Sequence, residues 1–215
     1  MAFDRLADAS LYLALEGRHH LPRVAHVGDA SGAAITAALA AQVRALPGVE
    51  IREGAQVTGL ITGIRGEISG VEIVDPSGVK VIETDRVILA TGGLGALFAH
   101  TTNPLTATGQ GIALAARIGA RTDDLHLVQF QPTALDVGVD PMPLLTEALR
   151  GAGAVLLADG HRFTDELQPR DVVSAAVWEQ LRAGRRVVLD ARAVPDVAAR
   201  FPRVTQLVAQ TGLSL

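Results

Sequence analysis

The run Val87-Ile88-Leu89-Ala90 constrains the fold more than any other stretch: four apolar residues with no polar alternation, stopped by Thr91, Gly92 and Gly93. A strand without a polar face has to be covered on both sides, which predicts a buried strand of a parallel α/β sheet. Such sheets bind ligands just beyond the carboxyl ends of their strands, where paired glycines let the backbone approach a phosphate or ribose without a Cβ clash. On these residues alone, a nucleotide site and a plain strand ending in a tight turn stand equally open.

Composition narrows the partners. At 215 residues and 48% hydrophobic, the chain has material for a packed core in one large or two small domains. A net charge of −4, a pI near 5.8 and few aromatics (one Trp, one Tyr, five Phe) argue against a nucleic-acid partner. The absence of cysteine excludes a disulfide, a thiolate metal site or a cysteine nucleophile, and fits a reducing, cytoplasmic setting. No segment has the length and apolarity of a membrane span, and Asp4 and Asp8 spoil any secretory pattern at the start.

Along the chain, residues 1–28 read as a loop crowded with ionisable groups, including Glu16, Arg18, His19, His20, Arg23 and His26. Ile35, Leu39, Val43 and Leu46 have helical spacing after Asp29 or Ser31 as N-cap, and Pro47-Gly48 ends the helix. Residues 49–51 and 55–61 are expected strands. Residues 68–74 and 79–83 flank Asp75-Pro76-Ser77-Gly78 and predict a β-hairpin whose second strand continues toward Thr91. A helix follows Thr108-Gly109-Gln110-Gly111, its amino end turned toward the glycine pair. Beyond a strand-like run at 125–131, the pattern predicts a short helix at 144–149, a hairpin around Asp159-Gly160, a helix at 171–183, a strand at 187–189 and a last helix at 203–211.

Several strings, taken together and in order, resemble the flavoprotein family of the L-aspartate oxidases, fumarate reductases and succinate dehydrogenase flavoprotein subunits, with the first branch nearest. They are Glu16-Gly17 with His19, Arg23 and His26; Asp29-Ala30-Ser31-Gly32; Ala90-Thr91-Gly92-Gly93; Thr102-Asn103-Pro104 with Thr108-Gly109; 129–135; 146–151; and Pro169-Arg170-Asp171. The resemblance implies an α/β fold: an incomplete Rossmann-like FAD-binding domain over 1–124 and an incomplete α+β capping domain over 125–215. It implies non-covalent FAD and a small dicarboxylate or amino-dicarboxylate substrate. The family's Gly-x-Gly-x-x-Gly turn and its glycine-rich closing segment have no counterpart here, so the chain is expected to be a central fragment. A complementary polypeptide, or an inactive remnant, follows as an alternative.

The family's proton-handling arginine matches Arg170, with Glu147 and Arg150 as its relay. A guanidinium does not deprotonate unaided, so the role needs a carboxylate beside it. Read without the family, Glu147 and Arg150 would be a surface ion pair on one helix face. Thr146, Gln131 and Glu16 match substrate-binding positions. Val57, Ala90, Thr91, Gly92, Gly93, Asn103 and Thr108 match cofactor contacts, although Val57 alone would read as a core residue. Three departures stand out: Gln131 replaces a histidine, Gln110 replaces an aspartate, and the stretch 162–170 is shorter than usual. His19, His20 and His26 lack the carboxylate spacing of a metal site and are expected to be loop hydrogen-bonders.

Overall fold

A computed structural model describes residues 2–17 and 19–213, so Arg18 of the ionisable loop lies outside the described residues. The elements are β1 (Leu13–Ala14), β2 (Val24–Ala25), α1 (Ser31–Ala45), β3 (Gln56–Thr62), β4 (Ile68–Asp75), β5 (Gly78–Glu83), α2 (Gln110–Arg117), α3 (Glu147–Gly151), β6 (Val155–Ala158), β7 (His161–Arg162), α4 (Arg170–Arg182), β8 (Val187–Asp190), α5 (Val197–Arg200) and α6 (Pro202–Ala209). They group into two compact units, one of residues 1–45 with 129–215, the other of residues 46–128. The switch at 128/129 lies four residues from the boundary expected at 124/125. Residues 1–45, however, pack with the second half of the chain: Asp29 accepts a 3.0 Å bond from the Val204 amide of α6, and a Cβ on Gly151 would run into the Leu15 carbonyl.

In the unit of residues 46–128, β3, β4 and β5 form an antiparallel sheet in that order. The hairpin forms as expected, with Asp75 and Gly78 paired across Pro76 and Ser77. Asp75 accepts from the Ser77 amide at 2.8 Å, and Gly78 takes a φ of +114° that a side chain would resist. Three expected strands are corrected: 49–51, 125–131 and the 87–90 run have no strand assignment, and β5 stops at Glu83. A strand exists through its neighbours' hydrogen bonds, and every pairing among the described residues is antiparallel. The apolar run at 87–90 therefore lacks the parallel neighbour its composition calls for, and Ile88 is 93% exposed.

The other unit builds β7-β6-β8 into a second antiparallel sheet beside a cluster of Leu145, Leu149, Ala154, Ala191, Phe201 and the α6 residues Val204 and Val208. Asp29, one of the two expected caps of α1, instead supplies a carboxylate to the third amide of α6, whose own N-cap residue, Phe201, has no side chain able to do so. The other, Ser31, starts α1 and accepts from the Val27 amide. Although α1 has the expected spacing, none of its residues is buried. Among the described residues no helix is long and apolar enough to cross a membrane.

Candidate functional site

The unit holding α3 and α4 carries a chain of charges. Thr146 caps α3, its hydroxyl oxygen accepting from the Ala148 amide at 3.3 Å, and Glu147 and Arg150 occupy the first and last turns where the helix dipole favours their signs. Their i,i+3 spacing puts Glu147 Oε1 3.4 Å from Arg150 Nη2. Arg170 opens α4 directly after Pro169, and its Nε donates to Glu147 Oε2 at 2.5 Å. Arg170 Nη1 also donates to Gln129 Oε1 at 3.0 Å. The surface-pair alternative for Glu147 and Arg150 fails on burial, since they are 8% and 2% exposed.

Burial pushes the Arg150 guanidinium below its ordinary value, Glu147 opposing and Arg170 assisting. Arg150 still stays a cation, because no arginine range reaches neutrality. Its Nη1 donates to the Glu166 carbonyl at 2.7 Å, while Nε and Nη2 make no hydrogen bond. Glu166, absent from the sequence reading, is 3% exposed. Its carboxylate accepts from the Leu156 amide at 2.8 Å and from the Arg162 fork. Burial raises its pKa, but the Arg162 and Leu156 bonds outweigh that and hold it below the usual glutamate value. The available signal was Arg162 four residues before Glu166, a spacing that reads as an ordinary surface pair when burial is unknown.

Segment 15–17 closes over Glu147: a Cβ on Gly17 would sit 2.5 Å from Glu147 Oε1. The neighbouring Glu16 adds its charge to the field at Arg150. Gln131 is half-buried in a loop, with no bond to this chain of charges. Two residues on, Thr133 is buried, its hydroxyl donating to the Leu145 carbonyl. His26 lies 3.0 Å from Asp4 and edge-on to Tyr12, apart from any carboxylate cluster. The stretch 162–170 leaves Arg170 against Glu147.

The unit of residues 46–128 carries the cofactor-matched positions. Val57 and Thr91 line a cavity of about 480 Å³ together with Val71, Leu89, Gln110 and Leu114. Gly93 and Asn103 line a second of about 300 Å³. Ala90, Thr91, Gly92, Gly93, Asn103 and Thr108 are exposed, and a Cβ on Gly92 (φ +74°) or Gly93 would meet nothing. The Thr91 side chain fills the place a Cβ on Gly111 would take, so the start of α2 lies against the end of the apolar run. Gln110 does more than remove an acidic acceptor: its Nε2 donates to the Val57 carbonyl at 3.1 Å, tying α2 to β3. An apolar slot, open glycine backbone and a helix start at Gly109 with no side-chain cap fit part of a dinucleotide.

Residues 1–212 match the family model described as the FAD binding domain. The chain belongs to the FAD-binding flavoprotein family. Its cofactor is FAD. Among curated relatives it is 50% identical over 209 residues to the L-aspartate oxidase of Caulobacter vibrioides, a match covering 93% of this chain and 40% of that protein. It is 44% identical to the L-aspartate oxidase of Mesorhizobium japonicum, over 98% of this chain and 43% of the relative. The fold matches E. coli quinol fumarate reductase FrdA with a TM-score of 0.89 at 24% identity, over 99% of this chain and 41% of that one. This flavoprotein chain thus spans about two fifths of the length of the relatives it matches.

Proposed function

We propose that the chain supplies part of the FAD-binding domain, within 1–124, and part of the capping domain, within 125–215, of an L-aspartate oxidase acting in the cytoplasm. The reaction is oxidation of L-aspartate to iminoaspartate, a step toward quinolinate and NAD. The observation that carries this reading is the Arg170 to Glu147 bond of 2.5 Å beside a buried Arg150, in a chain half identical to an L-aspartate oxidase. Glu147 anchors two guanidinium groups through separate oxygens, so Arg170 Nε faces a carboxylate able to exchange a proton with it.

FAD, when bound, supplies the hydride acceptor. Val57, Ala90, Thr91, Gly92, Gly93, Asn103 and Thr108 would hold it, largely through backbone. The substrate loses a hydride and a proton; Arg170 handles the proton and Glu147 with Arg150 restores its state. Thr146 keeps its O–H free to donate to a substrate carboxylate, because only its oxygen serves as the helix cap. Glu16 faces the substrate amino group, and Gln131 offers a neutral amide where a cation is usual, weakening the hold on a carboxylate.

The Gln131 replacement also favours a second reading, a remnant without turnover or a chain that works with a complementary polypeptide; a fumarate or succinate reaction is the third. Titrating the purified chain with FAD and then with L-aspartate, succinate or fumarate separates them. Stoichiometric yellow protein with aspartate-dependent peroxide supports the oxidase, and flavin reduced by succinate shifts the substrate. Colourless protein favours the remnant or the need for a complement.

A further inference from the structure

Arg150 is a buried guanidinium held by very little. Among the described residues its side chain makes one hydrogen bond, from Nη1 to the Glu166 carbonyl at 2.7 Å. Nε and Nη2 have no hydrogen-bond partner, and Nη2 stands 3.4 Å from Glu147 Oε1. A planar fork with a single anchor takes its orientation from that anchor, so whatever fixes the Glu166 carbonyl decides which nitrogen faces Glu147. What fixes it is the Glu166 side chain. Its buried carboxylate accepts from the Leu156 amide of β6 and from Nε and Nη2 of Arg162 in β7. The turn is closed locally by Asp165, whose carboxylate accepts from the Leu167 amide at 3.1 Å and whose carbonyl accepts from the Gln168 amide at 3.2 Å. Pro169 follows, and Arg170 opens α4 with its Nε on Glu147 Oε2.

We propose that Glu166 is a positioning residue of this chain of charges: it aims Arg150 at one oxygen of Glu147, while the turn it pins sets Arg170 on the other. Both arginines depend on the same turn, one received on the Glu166 carbonyl and the other delivered four residues later. The negative charge of Glu166 works in the same direction as its geometry. Burial and Arg170 act against the Arg150 cation, and Glu147 and Glu166 act for it. Glu166 thus acts through the two arginines and not on a substrate. The proposal rests on the reading that Arg170, Glu147 and Arg150 move the substrate proton, because that step is what makes their mutual aim matter: a shift of about 1 Å in a supporting residue is enough to slow a reaction.

The test is nitrogen NMR of the arginine side chains in the whole chain, parent against variants. In the parent the Arg150 Nη1 and Nη2 signals should be separate, because one nitrogen is anchored and the group cannot turn. Glu166→Gln keeps the shape and one oxygen acceptor but sets N–H donors against the Arg162 fork. Rotation of the Arg150 guanidinium should then become at least tenfold faster. Arg162→Gln, which leaves Glu166 in place and removes the cation that grips it, should loosen Arg150 in the same direction and by less. Val208→Ala, a truncation in the Leu149 cluster, lowers stability by another route and should leave the Arg150 signals unchanged. Averaged Arg150 signals in the parent, an unmoved Arg150 in both Glu166→Gln and Arg162→Gln, or equal loosening in Val208→Ala would overturn the proposal. Turnover of L-aspartate with added FAD, measured on the same proteins, keeps the two readings apart. In a parent that makes peroxide, Glu166→Gln should lower kcat at least tenfold with KM within threefold, and an unchanged kcat overturns the positioning role. A parent without turnover, whose Arg150 is still loosened by Glu166→Gln, removes the oxidase reading and leaves the anchoring of the arginines in place.

Discussion

At the residue scale the decisive side chain is Glu166. Its carboxylate gathers Arg162 and the Leu156 amide, which fixes the loop whose carbonyl receives Arg150. Because its folded pKa lies below the ordinary glutamate value, the unfolded chain binds more protons across the interval between the two. The stability it contributes is therefore full above the ordinary value, about 4.3, and lost as pH falls through the lowered folded one. In urea unfolding series, Glu166→Gln should be less stable than the parent near neutral pH, by about 1–3 kcal/mol, the gap closing as the medium is acidified. A gap independent of pH would contradict this. Glu166 could not be read from the sequence, since what matters is its burial and the bond its carbonyl accepts from Arg150, sixteen positions away.

At the element scale the hairpin is local and was readable, whereas the parallel strand was not. Asp75, Pro76 and Gly78 carry their turn conformations in their own chemistry, so a window of four residues suffices. The carboxyl of Asp75, bonded first to Lys80 and then to Ser77, is held at about 2, well under its ordinary value. Gly78→Ala should cost about 1–3 kcal/mol in thermal unfolding because φ +114° becomes strained. Replacing Gly111 tests a different contact. Alanine gains about 1 kcal/mol of helix propensity, yet its Cβ meets the Thr91 side chain. Gly111→Ala should be destabilising alone and rescued by Thr91→Ala, a coupling read from a double-mutant cycle. Additive effects would mean the two elements do not touch.

At the scale of the whole molecule, the larger unit rests on Leu149, fully buried among Leu145, Ala154, Phe201 and Val204. Leu149→Ala should cost about 2–5 kcal/mol in denaturant unfolding, and a loss below 1 would place the core elsewhere. The stripe Ile35, Leu39 and Val43 stays 40–58% exposed, a helix with the pattern of a packed element that is not buried among the described residues. The sequence by itself determined the hairpins, the helices α1, α2, α4 and α6, and the family, because periodicity, turn residues and ordered motifs act over short spans. It also put Arg170, Glu147 and Arg150 in one group through the family's strings. Only the tertiary structure decided that the 87–90 run is unpaired, that Asp29 caps a helix 175 positions away, and that Glu166 holds Arg150 from behind. Pairing and burial are set by which distant segments meet, and no local pattern carries that information.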